Sequence, residues 1–312
     1  MRAGRIAGPV DAHIVHTVPV LPDAQLAPLF GAYADAVAAK RRQMLLGLTI
    51  FLLAVVVAAI GAEVDPAVFW NKLGNFSSYF TRLAYLDTGA PALIAPVWTD
   101  PAEWFWGLRK WLLLLGETLL IAYIATFTGA LIAFCACFMG SANLVKSAPL
   151  RLVVRRSLEF CRTVPDLVFA LIFVVAFGLG ALPGVMALAI HTTGALGKLF
   201  AEVVDNIDLK PVEGIAASGG SWFAQIRFGV VPQVLANFTS YTLLRFEINV
   251  RGASVLGFVG AGGIGEELIL AVRRFFYSDV SAIIVLIIAC VMLIDYGTER
   301  LRHQLVRMET GR

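Results

Sequence analysis

A short run of glycines near the C-terminal end has the spacing of a nucleotide-binding loop. Residues 257–267 read GFVGAGGIGEE, in which Gly260, Gly262 and Gly265 match G-x-G-x-x-G. Asp279 follows at about the distance of an acid that binds the ribose. A dinucleotide-binding fold also needs a strand before the motif and βαβ units after it. An apolar segment precedes the motif and too little chain follows it, so these residues do not predict a nucleotide site.

The glycine run has a mechanical interpretation instead. Glu266 and Glu267 begin the next segment, where two negative charges would repel a phosphate group. Glycine lets the backbone turn sharply, and irregular backbone is tolerated in a membrane where it is packed in protein or lines a cavity. We interpret the run as a gate or re-entrant bend, and the alternative is a turn without function. The glycines of this candidate gate are Gly260, Gly262, Gly263 and Gly265.

A second set of chemically active residues lies inside an apolar segment, residues 233–258. It consists of Arg245, Glu247, Asn249 and Arg251. Ionisable groups at this depth are costly and normally face protein or water. Glu247 and Arg251 are four residues apart and can pair on one helix face, whereas Arg245 and Asn249 share another face.

These four residues predict either a translocation pathway or a structural contact. A guanidinium group matches the geometry of an oxyanion, so Arg245 or Arg251 could line the passage of an anionic cargo. The alternative is an ion pair between helices or between subunits, for example with Glu117. We expect His191 to be a packed, hydrogen-bonded histidine and not a ligand.

Composition identifies the class of protein that positions these residues. The chain has 312 residues, of which 59% are hydrophobic and 15% charged, which indicates an integral membrane protein. A net charge of +3 is too small to indicate nucleic-acid binding. No histidine stands at metal-ligand spacing from the cysteines, so we predict no metal site and no disulfide, and interpret the cysteines as small core residues. They are Cys135, Cys137, Cys161 and Cys290.

Six apolar segments are long enough to cross a bilayer, which requires about 20 residues each. The sequence GLGALPG at 178–184 favours a break between the third and fourth segments. The predicted spans are 44–62, 112–139, 164–182, 184–204, 233–258 and 280–297.

Basic flanks orient the spans. Lys40, Arg41 and Arg42 precede the first span, and Arg300 and Arg302 follow the last, so both termini are predicted to be cytoplasmic. Residues 1–43 then form a cytoplasmic segment, 63–111 an external segment and 300–312 a cytoplasmic tail. Tryptophans of the external segment are expected at the level of the lipid headgroups. They are Trp70, Trp98, Trp104, Trp106 and Trp111.

The segment between the fourth and fifth spans carries a family pattern. Residues 213–234 read EGIAASGGSWFAQIRFGVVPQV. They resemble the cytoplasmic coupling segment of ABC importer permeases, although Gly214 and Gly220 depart from its commonest form. The residues that match the pattern, and that would contact the ATPase, are Glu213, Ala216, Ala217, Gly219 and Pro232.

Local physical chemistry agrees with a short helix at this place. Pro211 and Glu213 suit a first helical turn, where proline lacks only an unneeded N–H and glutamate faces the positive end of the helix dipole. The small residues at 216–220 allow a tight turn or close approach of another backbone. Such a helix could dock on a soluble partner and move as a rigid body, and the alternative is a solvated loop.

Two further stretches narrow the resemblance. Residues 245–265, RFEINVRGASVLGFVGAGGIG, and 189–200, AIHTTGALGKLF, look like the permease subunit of phosphonate importers. The resemblance covers the chain from about residue 112 to the C-terminus, and little of 1–43 and 63–111.

This resemblance implies an all-α integral membrane protein with six transmembrane helices. Residues 112–299 would be a type I, MetI-like permease core with its coupling segment at 205–232, and residues 44–62 an added N-terminal span. The protein would lie in the bacterial cytoplasmic membrane, surrounded by the lipid bilayer. Its partners would be an ATPase dimer, a second permease copy or close paralogue, and an external phosphonate-binding protein.

The implied activity is ATP-driven import of phosphonate or a related phosphorus oxyanion by alternating access. ATP and Mg would bind to the partner ATPase, and this chain would bind no cofactor and would not itself be an enzyme. The same machinery for phosphate, phosphite, an amino acid or a metal is the alternative. A stand-alone secondary transporter is a further alternative, which gives no reason for a coupling segment.

Overall fold

The computed structural model describes residues 23–87 and 96–310, which are almost entirely helical. The only extended pairing within these ranges is an isolated antiparallel bridge between Tyr85 and Pro96. The predicted all-α class is therefore confirmed. Residues 1–22 of the predicted cytoplasmic segment, 88–95 of the external segment and 311–312 of the tail lie outside the described residues.

Twelve α-helices follow one another in the described part, together with short 3₁₀- and π-helical turns. The 3₁₀ turns are Val97–Thr99 and Gly257–Val259, and a π-helix occupies Gln225–Val230. The α-helices are α1 (Asp23–Gly61), α2 (Pro66–Leu83), α3 (Pro101–Trp104), α4 (Leu108–Gly140), α5 (Ala148–Thr163), α6 (Asp166–Phe177), α7 (Ala181–Asp205), α8 (Lys210–Ala217), α9 (Trp222–Ala224), α10 (Val231–Leu256), α11 (Ile264–Arg274) and α12 (Tyr277–Thr310).

Four helices in the described residues are by themselves long and apolar enough to cross a membrane. They are Gly31–Gly61 of α1, α4, α7 and Tyr277–Gln304 of α12. Two bent pairs satisfy the same criterion together: α5 with α6, and Trp222–Val259 with α11, bent by 85° and 48° respectively. Counting each bent pair as one span gives six, the number expected from the sequence.

The third predicted span, 164–182, is wrong in its bounds. α6 has only 12 residues, so it is about 18 Å long and cannot cross a hydrocarbon core of about 30 Å. Its partner α5 is rich in arginine, and the chain bends between the two helices at Val164 and Pro165. The break at 178–184 is present, because Gly178 and Gly180 have positive φ angles between α6 and α7.

The chain divides into two compact units, residues 1–75 and 76–312. In the first unit, α1 contains Lys40, Arg41 and Arg42 within the helix, so helix formation begins well before the predicted span at residue 44. No residue of its most apolar stretch is buried. α2 follows after residues 62–65 and continues into the second unit.

Helix α7 is the centre of the second unit, where it packs against α4, α5, α6 and α10. Small residues permit this close packing. A Cβ atom at Gly194 would stand 2.6 Å from the carbonyl oxygen of Leu158, so α5 approaches α7 at backbone distance. α12 packs on α10, and α11 packs on α12 and α4.

Three apolar clusters follow the length of this bundle. One, at the predicted cytoplasmic end, includes Phe200 stacked on Phe238 with their ring centroids 3.9 Å apart. A second, in the middle, includes Leu188 and Leu256. The third, at the predicted external end, includes Trp111, which is buried inside it; its position at the headgroup level stays a prediction.

The segment before α4 is attached to the start of α12 by indole hydrogen bonds. Trp104 Nε1 donates to Ser281 Oγ at 2.9 Å, and Trp106 Nε1 donates to Asp279 Oδ1 at 2.8 Å. Asp87 accepts two bonds from Ser278, one of them from its backbone N–H. Within the predicted external segment, Asp87 and residues 104–106 are therefore attached to the bundle.

The four cysteines are free, as expected. Only Cys137 is fully buried, however, and Cys135 is exposed on the surface of α4, so the expectation that all four are core residues is wrong.

Candidate functional site

The predicted coupling segment folds as the short helix α8 followed by a tight turn. Glu213 lies exposed in its first turn, and Gly219 ends the helix with a φ of +83°. Ala216 and Ala217 are exposed, whereas Val212 is buried against the π-helix. One face of α8 therefore rests on the bundle and the other is open.

Glutamine side chains fix α8 to the bundle. Gln233 accepts a bond from the backbone N–H of Asp208 at 3.1 Å and donates to the carbonyl oxygen of Asp208 at 3.1 Å. It also donates to the carbonyl oxygen of Gly229 at 2.6 Å, and Gln225 donates to that of Gly220 at 3.2 Å. Since both ends of the segment are attached, α8 is held as one body with the start of α10. Pro232, the last residue of the predicted pattern, lies in the first turn of α10.

A buried polar network joins three helices in the middle of the bundle. Asn249 of α10 is 1% exposed, and its Nδ2 donates to Thr126 Oγ1 of α4 and Thr192 Oγ1 of α7, both at 2.8 Å. Its Oδ1 is buried without a hydrogen-bond partner among the described residues. Such an unsatisfied acceptor is costly to bury and marks a position open to a further donor.

Arg245 extends this network towards the bend between α5 and α6. Its Nη2 lies 2.7 Å from His191 Nδ1, and its Nε donates to Thr192 Oγ1 at 3.4 Å. His191 Nε2 in turn lies 3.1 Å from the carbonyl oxygen of Arg162. Because a guanidinium can only donate, Nδ1 must accept, so the proton of the neutral ring is on Nε2 and is donated to Arg162. His191 is thus a hydrogen-bonded packed residue, as expected, and it orients Arg245.

The broken helix adds charge around Arg245. The backbone is interrupted between Thr163 of α5 and Asp166 of α6, and the carboxylate of Asp166 is near enough to act electrostatically on both His191 and Arg245. Discontinuous membrane helices of this kind occur where the backbone lines a cavity or is enclosed by protein. Arg162, Asp166, His191 and Arg245 therefore form a polar cluster at the bend, which we call the bend cluster.

The opposite face of α10 carries different pairs from those expected. Arg251 forms an ion pair of 2.6 Å with Asp295 of α12, and Thr298 of α12 donates a hydrogen bond to Glu247. The expected pair of Glu247 with Arg251 is wrong, because α12 packs along this face and supplies nearer partners. Glu117, suggested as a partner for these arginines, is not their partner within the described part of the chain, where Arg245 contacts His191 and Arg251 contacts Asp295; an ion pair between subunits stays a prediction.

The glycine run forms a sharp turn between α10 and α11. Gly260, Gly262 and Gly263 have φ angles of +82°, +83° and +79°, a region that L side chains rarely adopt. Gly265 lies in α11 against the backbone of Ser254, where a side chain would collide. Thr118 Oγ1 of α4 accepts the N–H of Ile264 at 2.9 Å and so anchors the turn. The bend is present as expected, and its role as a gate stays a prediction.

Comparison with known proteins identifies the family. Residues 132–307 match the family described as binding-protein-dependent transport system inner membrane component. The chain belongs to this family. The match includes α5 to α11 and the predicted coupling segment, and it agrees with the resemblance to importer permeases.

Individual relatives of this permease are named as transport permeases for phosphorus compounds. A phosphite transport system permease protein of Stutzerimonas stutzeri is 38% identical over 239 residues, which are 73% of this chain and 87% of the relative. A cryptic phosphonate transport system permease protein of Escherichia coli K12 is 50% identical over 121 residues, covering 39% of this chain and 99% of the relative.

A solved structure shares the permease fold. The MetNI methionine ABC transporter in an inward-facing form has a chain that aligns with a TM-score of 0.55 and 16% identity. The alignment covers 66% of this chain and 98% of the other. The MetI-like core predicted from the sequence is thereby confirmed at the level of the fold.

Several residues of the permease site had no place in the sequence-based prediction. Asp295 was detectable, because it is an acidic residue inside the sixth apolar segment. Asp166, Thr192 and Gln233 carry no local signal, since their partners are distant in sequence. No group of three or more metal-binding side chains occurs in residues 23–87 and 96–310.

Proposed function

We propose that this permease translocates a phosphorus oxyanion, such as phosphite or a phosphonate, into the cytoplasm. The observation that carries the proposal is the guanidinium of Arg245, held in the middle of the bundle by His191 and Thr192. Those two contacts use two of its five N–H groups. The remaining donors suit the oxygens of a tetrahedral oxyanion, and the printed functions of two relatives name phosphorus compounds of this class.

Transport energy comes from a separate ATPase in this proposal. The open face of α8, with Glu213, Ala216, Ala217 and Gly219, docks in a groove of the ATPase. Because Gln233 attaches α8 to the start of α10, a shift of α8 is transmitted to the helix that carries Arg245. ATP and Mg bind to the ATPase subunits and not to this chain.

The complete machine contains a second permease, either an identical copy or a close paralogue, and an external binding protein. Both termini of the chain face the cytoplasm in this proposal, so the turn at Gly260–Gly263 lies towards the external end of the bent fifth span. There it closes the passage while the cytoplasmic side is open. The polar cluster at the bend of α5 and α6 lies between these two ends.

The test is uptake into proteoliposomes that contain the permease, its companion ATPase and the binding protein. We expect ATP-dependent uptake of phosphite or a phosphonate, and no ATP hydrolysis by the isolated permease. Uptake that proceeds without the ATPase would identify a secondary transporter. Uptake of an amino acid or a divalent metal, with none of the phosphorus compounds tested including phosphate, would overturn the proposed cargo.

A substitution locates the passage. Arg245→Gln should reduce uptake while the complex still assembles and its ATPase is still stimulated by the binding protein, because the defect lies in the passage and not in coupling. Equal uptake by this variant and the parent would exclude Arg245 from the pathway.

A further inference from the structure

Helix α2 has the distribution of side chains found in helices that lie along a membrane surface. Apolar residues recur every three or four positions and so form one stripe, with Trp70 and Tyr79 towards its sides. Asn71 and Gly74 lie on the opposite face. The members of the stripe are Phe69, Leu73, Phe76, Phe80 and Leu83.

This apolar stripe is largely uncovered by protein. No residue of α2 is buried, and Phe69 and Phe76 are 62% and 63% exposed. α2 is not itself a candidate span, since it carries Lys72 and Arg82 among many polar residues. An amphipathic helix of this composition is stabilised by placing its apolar face among lipid acyl chains and its polar face in water.

Each end of α2 adjoins the limit of a candidate span, one along the chain and the other by side-chain contact. Its N-terminal end follows Gly61, the end of the membrane-spanning part of α1, after a turn in which Glu63 has a φ of +54°. Asp65 Oδ1 accepts the N–H of Ala67 at 2.8 Å and so caps the start of α2. The chain therefore leaves a span and begins a new helix within four residues.

The C-terminal end of α2 is fixed at the start of another span. The guanidinium carbon of Arg82 lies 5.5 Å from the ring centroid of Tyr277, and the ring of Tyr79 meets the same ring edge-on at 5.7 Å. Tyr277 is the first residue of α12, where its membrane-spanning part begins. α2 has 18 residues and is about 27 Å long; a candidate span precedes it along the chain, and its last turns contact the first residue of another candidate span.

We propose that α2 is an interfacial helix that binds the phospholipid surface, with its apolar stripe inserted between headgroups and acyl chains. Trp70 and Tyr79 then lie at headgroup level, and Lys72 and Arg82 extend towards lipid phosphates. The helix is a lipid-binding surface outside residues 132–307, the part of the chain that matches the permease family. It does not depend on the identity of the cargo.

The test measures the surroundings of single side chains of the full-length permease in lipid nanodiscs. All four native cysteines are free, so they can be replaced by alanine without loss of a disulfide. Nitroxide labels are then attached to cysteines introduced one at a time, at Phe69→Cys, Leu73→Cys and Phe76→Cys on the stripe and at Asn71→Cys and Gly74→Cys opposite. Collision with dissolved oxygen, which concentrates in lipid, is compared with collision with a water-soluble nickel chelate.

We expect oxygen to dominate at the three stripe positions and the nickel chelate at the two opposite positions, with a period of about 3.6 residues. Dominance of the nickel chelate at all five positions would place α2 in water and overturn the proposal. Exclusion of both reagents from the stripe would also overturn it, because a second copy or the binding protein would then cover α2.

A second measurement uses photo-cross-linking from an aromatic side chain, so the stripe stays aromatic. A photoreactive benzophenone side chain at Phe80 should cross-link to phospholipid. Cross-links to protein alone would contradict the lipid assignment even if a labelled variant failed to insert.

Discussion

Loss of the ion pair between Arg251 and Asp295 should lower the free energy of unfolding by an amount that depends on whether the pair faces water or a low-dielectric environment. Arg251→Gln removes the cation and leaves the Asp295 carboxylate, whose Oδ1 is already buried without a partner among the described residues. The two side chains are 51% and 39% exposed in the single chain. In water such a pair contributes about 0–1 kcal/mol. A charge stranded in low dielectric instead costs about 3–5 kcal/mol.

We expect the larger value, because both residues lie within membrane-spanning segments where lipid or a second permease covers them. Arg251→Gln should therefore lower the free energy of unfolding by about 3 kcal/mol. The double variant Arg251→Gln with Asp295→Asn removes the pair without stranding a charge and should recover stability to within about 1 kcal/mol of the parent.

The assay is reversible unfolding in detergent micelles, with Lys210→Gln as the matched control. Lys210 is exposed in α8, outside the candidate spans, so its loss should change stability by less than about 1 kcal/mol. If Arg251→Gln is as stable as the parent, the pair faces water and the reasoning fails. If the single and double variants lose the same free energy of unfolding, the guanidinium contributes by packing and not by charge.

Three further predictions concern the coupling helix, the bend cluster and the glycine turn. Glu213→Ala, or Gly219→Leu at a φ of +83°, should weaken ATPase binding in a pull-down assay while membrane insertion is unchanged. If both variants bind the ATPase with the affinity of the parent, coupling through α8 is contradicted. His191→Leu should lower the apparent affinity for cargo in uptake assays without loss of assembly, because Arg245 loses its hydrogen-bond acceptor. His191→Gln should restore part of this affinity. An unchanged affinity in His191→Leu would count against positioning of Arg245 by His191. Gly262→Ala should lower the free energy of unfolding by about 1–2 kcal/mol, because residue 262 has a left-handed backbone conformation. Gly214→Ala in α8 should not lower it. Equal stability of the two variants would refute strain at the turn.

The number of spans was predictable from the sequence because apolar runs of sufficient length are a local property. The glycine turn was predictable for the same reason, since Gly260, Gly262 and Gly263 adopt backbone angles that other residues avoid. The resemblance at residues 213–234 located α8. What the sequence could not supply were the partners of the charged residues, because contacts between helices depend on packing that no local pattern records.

The bend between α5 and α6 shows why these contacts could not be predicted. α5 is amphipathic and rich in arginine, a composition that is not typical of a membrane span. Its placement follows from contact with α7, where Gly194 admits the backbone of α5. Arg251 meets Asp295 and Arg245 meets His191 for a similar reason, since packing of helices far apart in sequence decides both.

The π-helix at Gln225–Val230 sets the rotational phase between the surface that supports α8 and the helix that carries Arg245. A π-turn contains one more residue than an α-helical path, and one residue corresponds to a rotation of about 100° and a rise of about 1.5 Å. Deleting a single residue there would leave α10 helical but turn α9 about its axis. Sequence length within these six positions, and not only side-chain identity, therefore determines how a displacement of α8 is directed into the membrane.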